Sequence, residues 1–171
     1  SLLLAGQGFS VTGIDVSPMA LETARQKAKH AGLEETLTFQ EENLVQLSFT
    51  DSAFDVVLCW GVLMHVKDHE AALKELLRVV KPGGYFILSE GNHRSLQARF
   101  TRFLKQVRPR QNEQIKQTPS GIESWVETSE GPVLTRQADI AWHIDFIQNA
   151  GFRLQMHRAG EFSEWYMRCP W

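Results

Sequence analysis

The 171-residue chain is one domain's worth of sequence, enough to close a single core around a sheet and too little for two. Its 43% hydrophobic and 22% charged residues are ordinary for a globular protein, and a formal net charge of -2 excludes any global attraction to nucleic acid or anionic lipid. No apolar run reaches the roughly 18 to 20 residues of a membrane span, and the start at Ser1 lacks a signal-peptide pattern, so a cytoplasmic location is expected. Cys59, inside an apolar run, and Cys169, near the end, make neither a disulfide framework nor a metal cluster. Both are read as inert thiols, and no metal site is expected.

In chain order, residues 9–15 are rich in β-branched side chains (Val11, Thr12, Ile14) and lie between Gly8 and Ser17, which predicts a strand. Ser17-Pro18 then opens a helix with Leu21, Ala24, Ala28 and Ala31 on one face, stopped by Gly32. Residues 36–40 predict a second strand. Residues 54–60 predict a third, whose nearly unbroken apolar run suggests a strand covered on both faces, as in a parallel sheet. Asp68 is placed to cap a helix with the stripe Leu73, Leu76, Leu77 and Val80. Lys81-Pro82-Gly83-Gly84 predicts a turn that reverses the chain into a strand over 85–90. This alternation argues for an α/β fold, a Rossmann-like, mostly parallel sheet flanked by helices in three layers.

The texture changes after Glu90. Leu96, Phe100, Phe103, Leu104 and Val107 form an apolar stripe flanked by Arg99, Arg102, Lys105 and Arg108, a basic amphipathic helix. Residues 117–135, punctuated by Pro119, Gly121, Gly131 and Pro132, read as a long loop. Ile140, Ile144 and Ile147 mark a last helix that stops at Gly151, and 152–157 predicts one more strand. One domain is expected, with residues 1–92 as a cofactor-binding part and 93–171 as a helical and loop acceptor-side part.

Asp15 stands at the carboxyl end of the first predicted strand, where ligands of open α/β sheets sit and where an acid accepts the hydroxyl protons of an adenosine ribose. That position alone serves nicotinamide cofactors equally well. The wider pattern is more specific: Gly13-Ile14-Asp15-Val16-Ser17-Pro18-Met19, then Phe54-Asp55-Val56-Val57 leading to His65, then Arg78-Val79-Val80-Lys81-Pro82-Gly83-Gly84. Taken in that order, the three resemble the class I S-adenosylmethionine-dependent methyltransferases, closest to the small-molecule subgroup that includes the ubiquinone and menaquinone C-methyltransferases. The resemblance covers 1–90 well and the remainder thinly.

The resemblance implies S-adenosylmethionine as cofactor, Asp15 on its ribose, and Val16 and Met19 along its adenine. Asn43 stands where the family often has an Asp that accepts from the adenine amino group. This departure implies an uncharged, weaker contact. Leu44 would offer its backbone amide to the ring, and Trp60 would set an aromatic face beside the sulfonium. No fixed catalytic triad is required, because the sulfonium is already a good leaving group and positioning supplies most of the rate. His65, Glu90 and His93 are the candidates for a general base, Asn92 for orienting an acceptor, and Trp125, Trp142, His143 and Tyr166 for shaping its pocket.

A small-molecule acceptor is favoured over nucleic acid. The segment 94–116 carries seven basic residues (Arg94, Arg99, Arg102, Lys105, Arg108, Arg110, Lys116) against Glu113 alone, so peripheral membrane contact there is a further expectation. A nicotinamide-dependent (NAD) oxidoreductase and a non-catalytic module of the same fold are the alternatives. The ribose acid lies about 20 residues beyond the glycine-rich turn in dinucleotide-binding folds, so that turn is expected ahead of Ser1. The sheet is accordingly read as lacking its first strand and its last.

Overall fold

The structure is a computed structural model that describes residues 1–107, 113–129 and 131–158. A short helix α1 (Leu2–Gly6) leads to β1 (Val11–Asp15), helix α2 (Pro18–His30) and β2 (Leu37–Glu41). Strand β3 (Phe54–Trp60), a 3₁₀ turn (Leu63–His65), helix α3 (His69–Arg78) and β4 (Val80–Ser89) follow. Helix α4 (Leu96–Val107), strands β5 (Glu113–Thr118), β6 (Gly121–Thr128) and β7 (Gly131–Ala138) and helix α5 (Ile140–Asn149) complete the order.

The first half is the expected βαβ pattern. β1 and β2 pair in parallel from Val11–Leu37 to Asp15–Glu41, and β3 and β4 pair in parallel up to Trp60–Ser89. Both predicted caps form: Ser17 Oγ accepts from the Ala20 amide at 3.3 Å, and Asp68 Oδ1 from the Ala71 amide at 3.2 Å. Each ties down one of the amide protons that a helix start leaves without a partner. Gly13 sits where an added Cβ would lie 2.8 Å from the Phe39 ring, so a glycine lets β1 approach β2. One apolar cluster of Leu47, Cys59, Leu63, Ala72, Leu73, Leu76 and Val79 gathers Ile14 from β1 and Val57 from β3 around α3.

Several expectations need correction. Helix α3 ends at Arg78, and Val80 opens β4 instead of finishing the helical stripe. Lys81-Pro82-Gly83-Gly84 does not separate two elements; it bulges within β4, where the partner of Phe54 is Val80 and that of Val56 is already Tyr85. Proline has no amide proton for the ladder and Gly83 takes a φ of +78°, so the extra residues loop out while pairing resumes beyond them. β3 is covered on one side: Val57 packs on the core, whereas Val56, Leu58 and Trp60 are exposed beside Tyr85 and Ile87 of β4. An unbroken apolar run does not by itself say whether one face or two are covered.

The larger correction concerns 117–135. It is no loop but most of a three-stranded antiparallel meander in the order β5-β6-β7. The glycines and prolines that suggested a loop serve tight reversals instead, with Thr118 paired to Gly121 and Thr128 to Gly131. Residues 152–157, where a strand was predicted, carry no regular structure. Among the described residues no helix is long and apolar enough to cross a membrane.

Candidate cofactor and acceptor site

Asp15 closes β1 with its side chain exposed, and its Oδ1 accepts from the Ser17 amide at 2.8 Å. The bond fixes the carboxylate at the strand end while Ser17 caps α2, so one turn both starts the helix and orients the acid. Val16 and Met19 beside it are exposed apolar groups, free of packing duties in the core.

Asn43, two residues past β2, accepts from the Val45 amide at 3.1 Å through Oδ1, while its carbonyl accepts from Gln46. It is therefore a turn former, and the side chain of Leu44 next to it packs on the core. This turn is held from α3. Arg78 donates to the carbonyls of Leu47 and Phe49 and to the carboxylates of Asp51 and Glu75, and Glu75 accepts from the Leu47 amide at 2.9 Å. Arg78 stood inside the third motif, but its work on the turn that follows β2 was not legible there.

Trp60 ends β3 and is 68% exposed, a ring presented at a strand end. Ile14, Leu44, Cys59 and Leu63 meet in the same apolar cluster, which brings the turns carrying Asp15, Asn43 and Trp60 around one core. Burial pushes the Cys59 thiol up to about 11, with the Glu90 charge adding to the effect, so it stays an inert thiol. Cys169 and Tyr166 lie outside the described residues.

The base candidates differ in their surroundings. Glu90, just past β4, accepts from the Leu63 amide at 3.0 Å. Burial raises its carboxyl from 4.5 to about 7, against the opposing pull of the Leu63 and Met64 amides and of His65 and Arg136. It titrates where a base working near neutrality is poised. His65 puts Nδ1 at 2.8 Å from the Leu134 carbonyl, and His93 puts Nδ1 at 3.1 Å from the Ala138 carbonyl. His65 thereby ties the meander to the first half of the chain, and His93 ties it to the loop after β4. Asn92 accepts from the Arg94 amide and bridges Ala138, again a local fastening. Trp142 stacks on Phe146 with centroids 5.0 Å apart, His143 is buried, and Trp125 donates to Glu123 at 3.2 Å.

One pair was missed by sequence reasoning. Arg136 on β7, only 2% exposed, donates to Glu123 at 2.8 Å and to the carbonyls of Leu63, Val66 and Lys67. It plugs the end of the 3₁₀ turn that Glu90 holds from the other side. The sequence of β7 gives no alternation that would have marked it, since Val133 and Leu134 are adjacent apolar residues and Thr135, Arg136 and Gln137 are consecutive polar ones.

Residues 1–88 match the family described as "Methyltransferase domain". The demethylmenaquinone methyltransferase of Tropheryma whipplei is 35% identical over 136 residues, covering 74% of this chain and 55% of that protein. The 2-methyl-6-phytyl-1,4-hydroquinone methyltransferase of Synechocystis is 38% identical over 93 residues, covering 54% of this chain and 28% of that protein. The match thus spans about half, or less, of the curated relatives' length. A crystal structure of a SAM-dependent methyltransferase from Methanosarcina mazei superposes with a TM-score of 0.71 at 28% identity, covering 95% of this chain and 78% of that one.

Proposed function

We propose that this chain, which belongs to the methyltransferase domain family, carries the ribose-holding turn and the acceptor side of an enzyme that methylates a small aromatic acceptor of the hydroquinone class. S-adenosylmethionine is the cofactor that the family and its Rossmann-like fold imply. The observation that carries the reading is Asp15: an exposed carboxylate at a strand end, oriented by the Ser17 amide at 2.8 Å, is built to accept two vicinal hydroxyls.

The residues present fit that group. Asp15 would hold the ribose, Val16 and Met19 would cover one edge of the adenine, and the Asn43–Leu44 turn would meet its polar rim. Asn43 Oδ1 already accepts from the Val45 amide, so only its second lone pair remains for an adenine amino group. Trp60 offers an aromatic face for a cation. When bound, the cofactor supplies a methyl on a sulfonium, an electrophile that needs no further activation.

What the chain's residues must add is position and a place for a proton. A phenolic or hydroquinone acceptor loses one on methylation, and Glu90, poised near neutrality beside the 3₁₀ turn, is the group we assign to receive it. His65 and His93 are committed to backbone carbonyls and are assigned to holding the meander over the site. The acceptor class follows the two quinone-ring relatives named above. The nicotinamide alternative has no counterpart among them.

The test is transfer of labelled methyl from S-adenosylmethionine to a prenylated hydroquinone, with wild type and Glu90→Gln. Transfer that the variant slows by about 10² or more supports the reading. Cofactor binding without transfer to any hydroquinone would leave the fold assignment standing and remove the acceptor class.

A further inference from the structure

Helix α4 is mounted with its apolar side outward. Leu96, Phe100, Phe103 and Leu104, which recur at helical spacing along one stripe, are 73%, 60%, 59% and 49% exposed. The opposite side faces the protein: Ala98 is 7% exposed, and Arg102 donates to Gln137 Oε1 at 2.6 Å and to the His93 carbonyl at 2.7 Å. Thr101 and Arg102 line a cleft against Ile115, Ile122, Thr135 and Gln137 on the meander. A surface helix normally turns its apolar stripe to the core and its charges to water. Here a small residue and a charged one attach the helix, and two phenylalanines and two leucines are presented away from the domain.

The flanks say what covers them. Arg99 is exposed at one border of the stripe, and Arg94, its side chain 70% exposed, precedes the helix with one contact at 3.2 Å to Asp139. An apolar stripe bordered by arginines suits the acyl–headgroup boundary of an anionic bilayer, where the rings enter the acyl region and the guanidiniums stay with phosphate. A protein groove would accept the stripe without needing the arginines. The bare β3–β4 face (Val56, Leu58, Trp60, Tyr85, Ile87) is also apolar, but the charged residues of its two strands are Asp55 and Lys81, which pair with each other, so nothing there selects a membrane.

We infer that α4 docks the protein peripherally on an anionic membrane surface through Leu96, Phe100, Phe103 and Leu104, with Arg94 and Arg99 on lipid phosphates. The inference is compatible with a lipid-soluble acceptor but does not depend on methyl transfer. α4 follows β4 by six residues, Glu90 to Ser95, so docking sets the loop after Glu90 against the bilayer. The helix would lie in the interface plane and does not span it.

The experiment is co-sedimentation of the 171-residue chain with vesicles of phosphatidylcholine alone and of equal phosphatidylcholine and phosphatidylglycerol, without cofactor or acceptor. The chain should partition onto the mixed vesicles at least about tenfold better than onto phosphatidylcholine, and less well as salt rises. Phe100→Ser with Phe103→Ser should abolish that preference together with binding, and Arg99→Glu should weaken binding to the mixed vesicles. These side chains are exposed, so the variants should melt as wild type and titrate S-adenosylhomocysteine unchanged. No binding to the mixed vesicles, or equal binding by the double phenylalanine variant, overturns the inference. So does a concentration-dependent dimer that the same variants disperse, since the stripe would then meet a second copy. Loss of methyl transfer alone bears only on the proposed reaction.

Discussion

Arg136 and Glu123, on neighbouring strands of the meander, form a 2.8 Å ion pair whose side chains are 2% and 12% exposed. Burial works to raise the Glu123 carboxyl, but the bonds from Arg136 and Trp125 prevail and hold it below its ordinary range. The same guanidinium reaches the carbonyls of Leu63, Val66 and Lys67, so the pair is the bolt between the meander and the turn beside Glu90. Breaking one partner of a buried pair strands the other charge. Glu123→Ala should therefore cost about 3 to 5 kcal/mol of unfolding free energy in urea titration. Glu123→Leu with Arg136→Met should recover part of that loss, and a single variant that unfolds as wild type would show the pair to be solvated.

Gly121 opens β6 at a φ of +143°, and a Cβ there would stand 2.1 Å from the Gln137 carbonyl oxygen. Neither the backbone conformation nor the neighbouring strand can give without breaking the ladder. Gly121→Ala should lower stability by about 1 to 3 kcal/mol or more, read as a reduced urea midpoint. Gly131, at φ +112° with nothing within 4 Å of its Cβ position, should tolerate alanine better. Equal effects at the two glycines would argue against the hairpin geometry at Gly121.

Half-buried Glu90 and buried His69 give opposite pH trends. Glu90 is raised by burial from 4.5 to about 7, so its stabilising contribution is complete below 4.5 and is lost as pH rises through about 7. His69 is lowered from 6.5 to about 4 by burial, with Arg136 and His143 adding to it. Its contribution is present above 6.5 and is lost as pH falls toward about 4. Glu90→Gln should thus gain on wild type as pH rises from about 5 to 8. His69→Gln should gain as pH falls over the acid range. Stability curves that run parallel to wild type at all pH values would contradict both.

The first half of the fold was legible because its signals are local. The Ser17-Pro18 and Asp68 starts, the β-branched run through Ile14 and the stripe of α3 all lie within a few residues of what they specify. The meander was misread because its punctuation was counted as loop. Pro119 and Gly121, then Gly131 and Pro132, stand at two tight reversals, and Ile122, Ser124 and Val126 alternate between them on one face. The place of Asp15 at the end of β1 was legible from the β-branched run that precedes it. The roles of Arg78, Arg136 and Glu123 were not, since each joins segments distant in sequence and no local pattern encodes the partner. The outward mounting of α4 was equally hidden, because periodicity gives the stripe and says nothing of the side on which the domain lies.

The central claim is that Asp15 holds the ribose of S-adenosylmethionine, and calorimetry on wild type, Asp15→Ala and Asp15→Asn tests it most directly. The asparagine keeps an oxygen for the Ser17 amide, so the turn survives while the charged acceptor is lost. The account predicts that wild type binds S-adenosylhomocysteine and not NAD. It also predicts that Asp15→Ala weakens binding by about 1.5 to 3 kcal/mol, roughly ten- to 150-fold, with Asp15→Asn also impaired. Wild-type affinity in both variants, or NAD bound as tightly as S-adenosylhomocysteine, would contradict it.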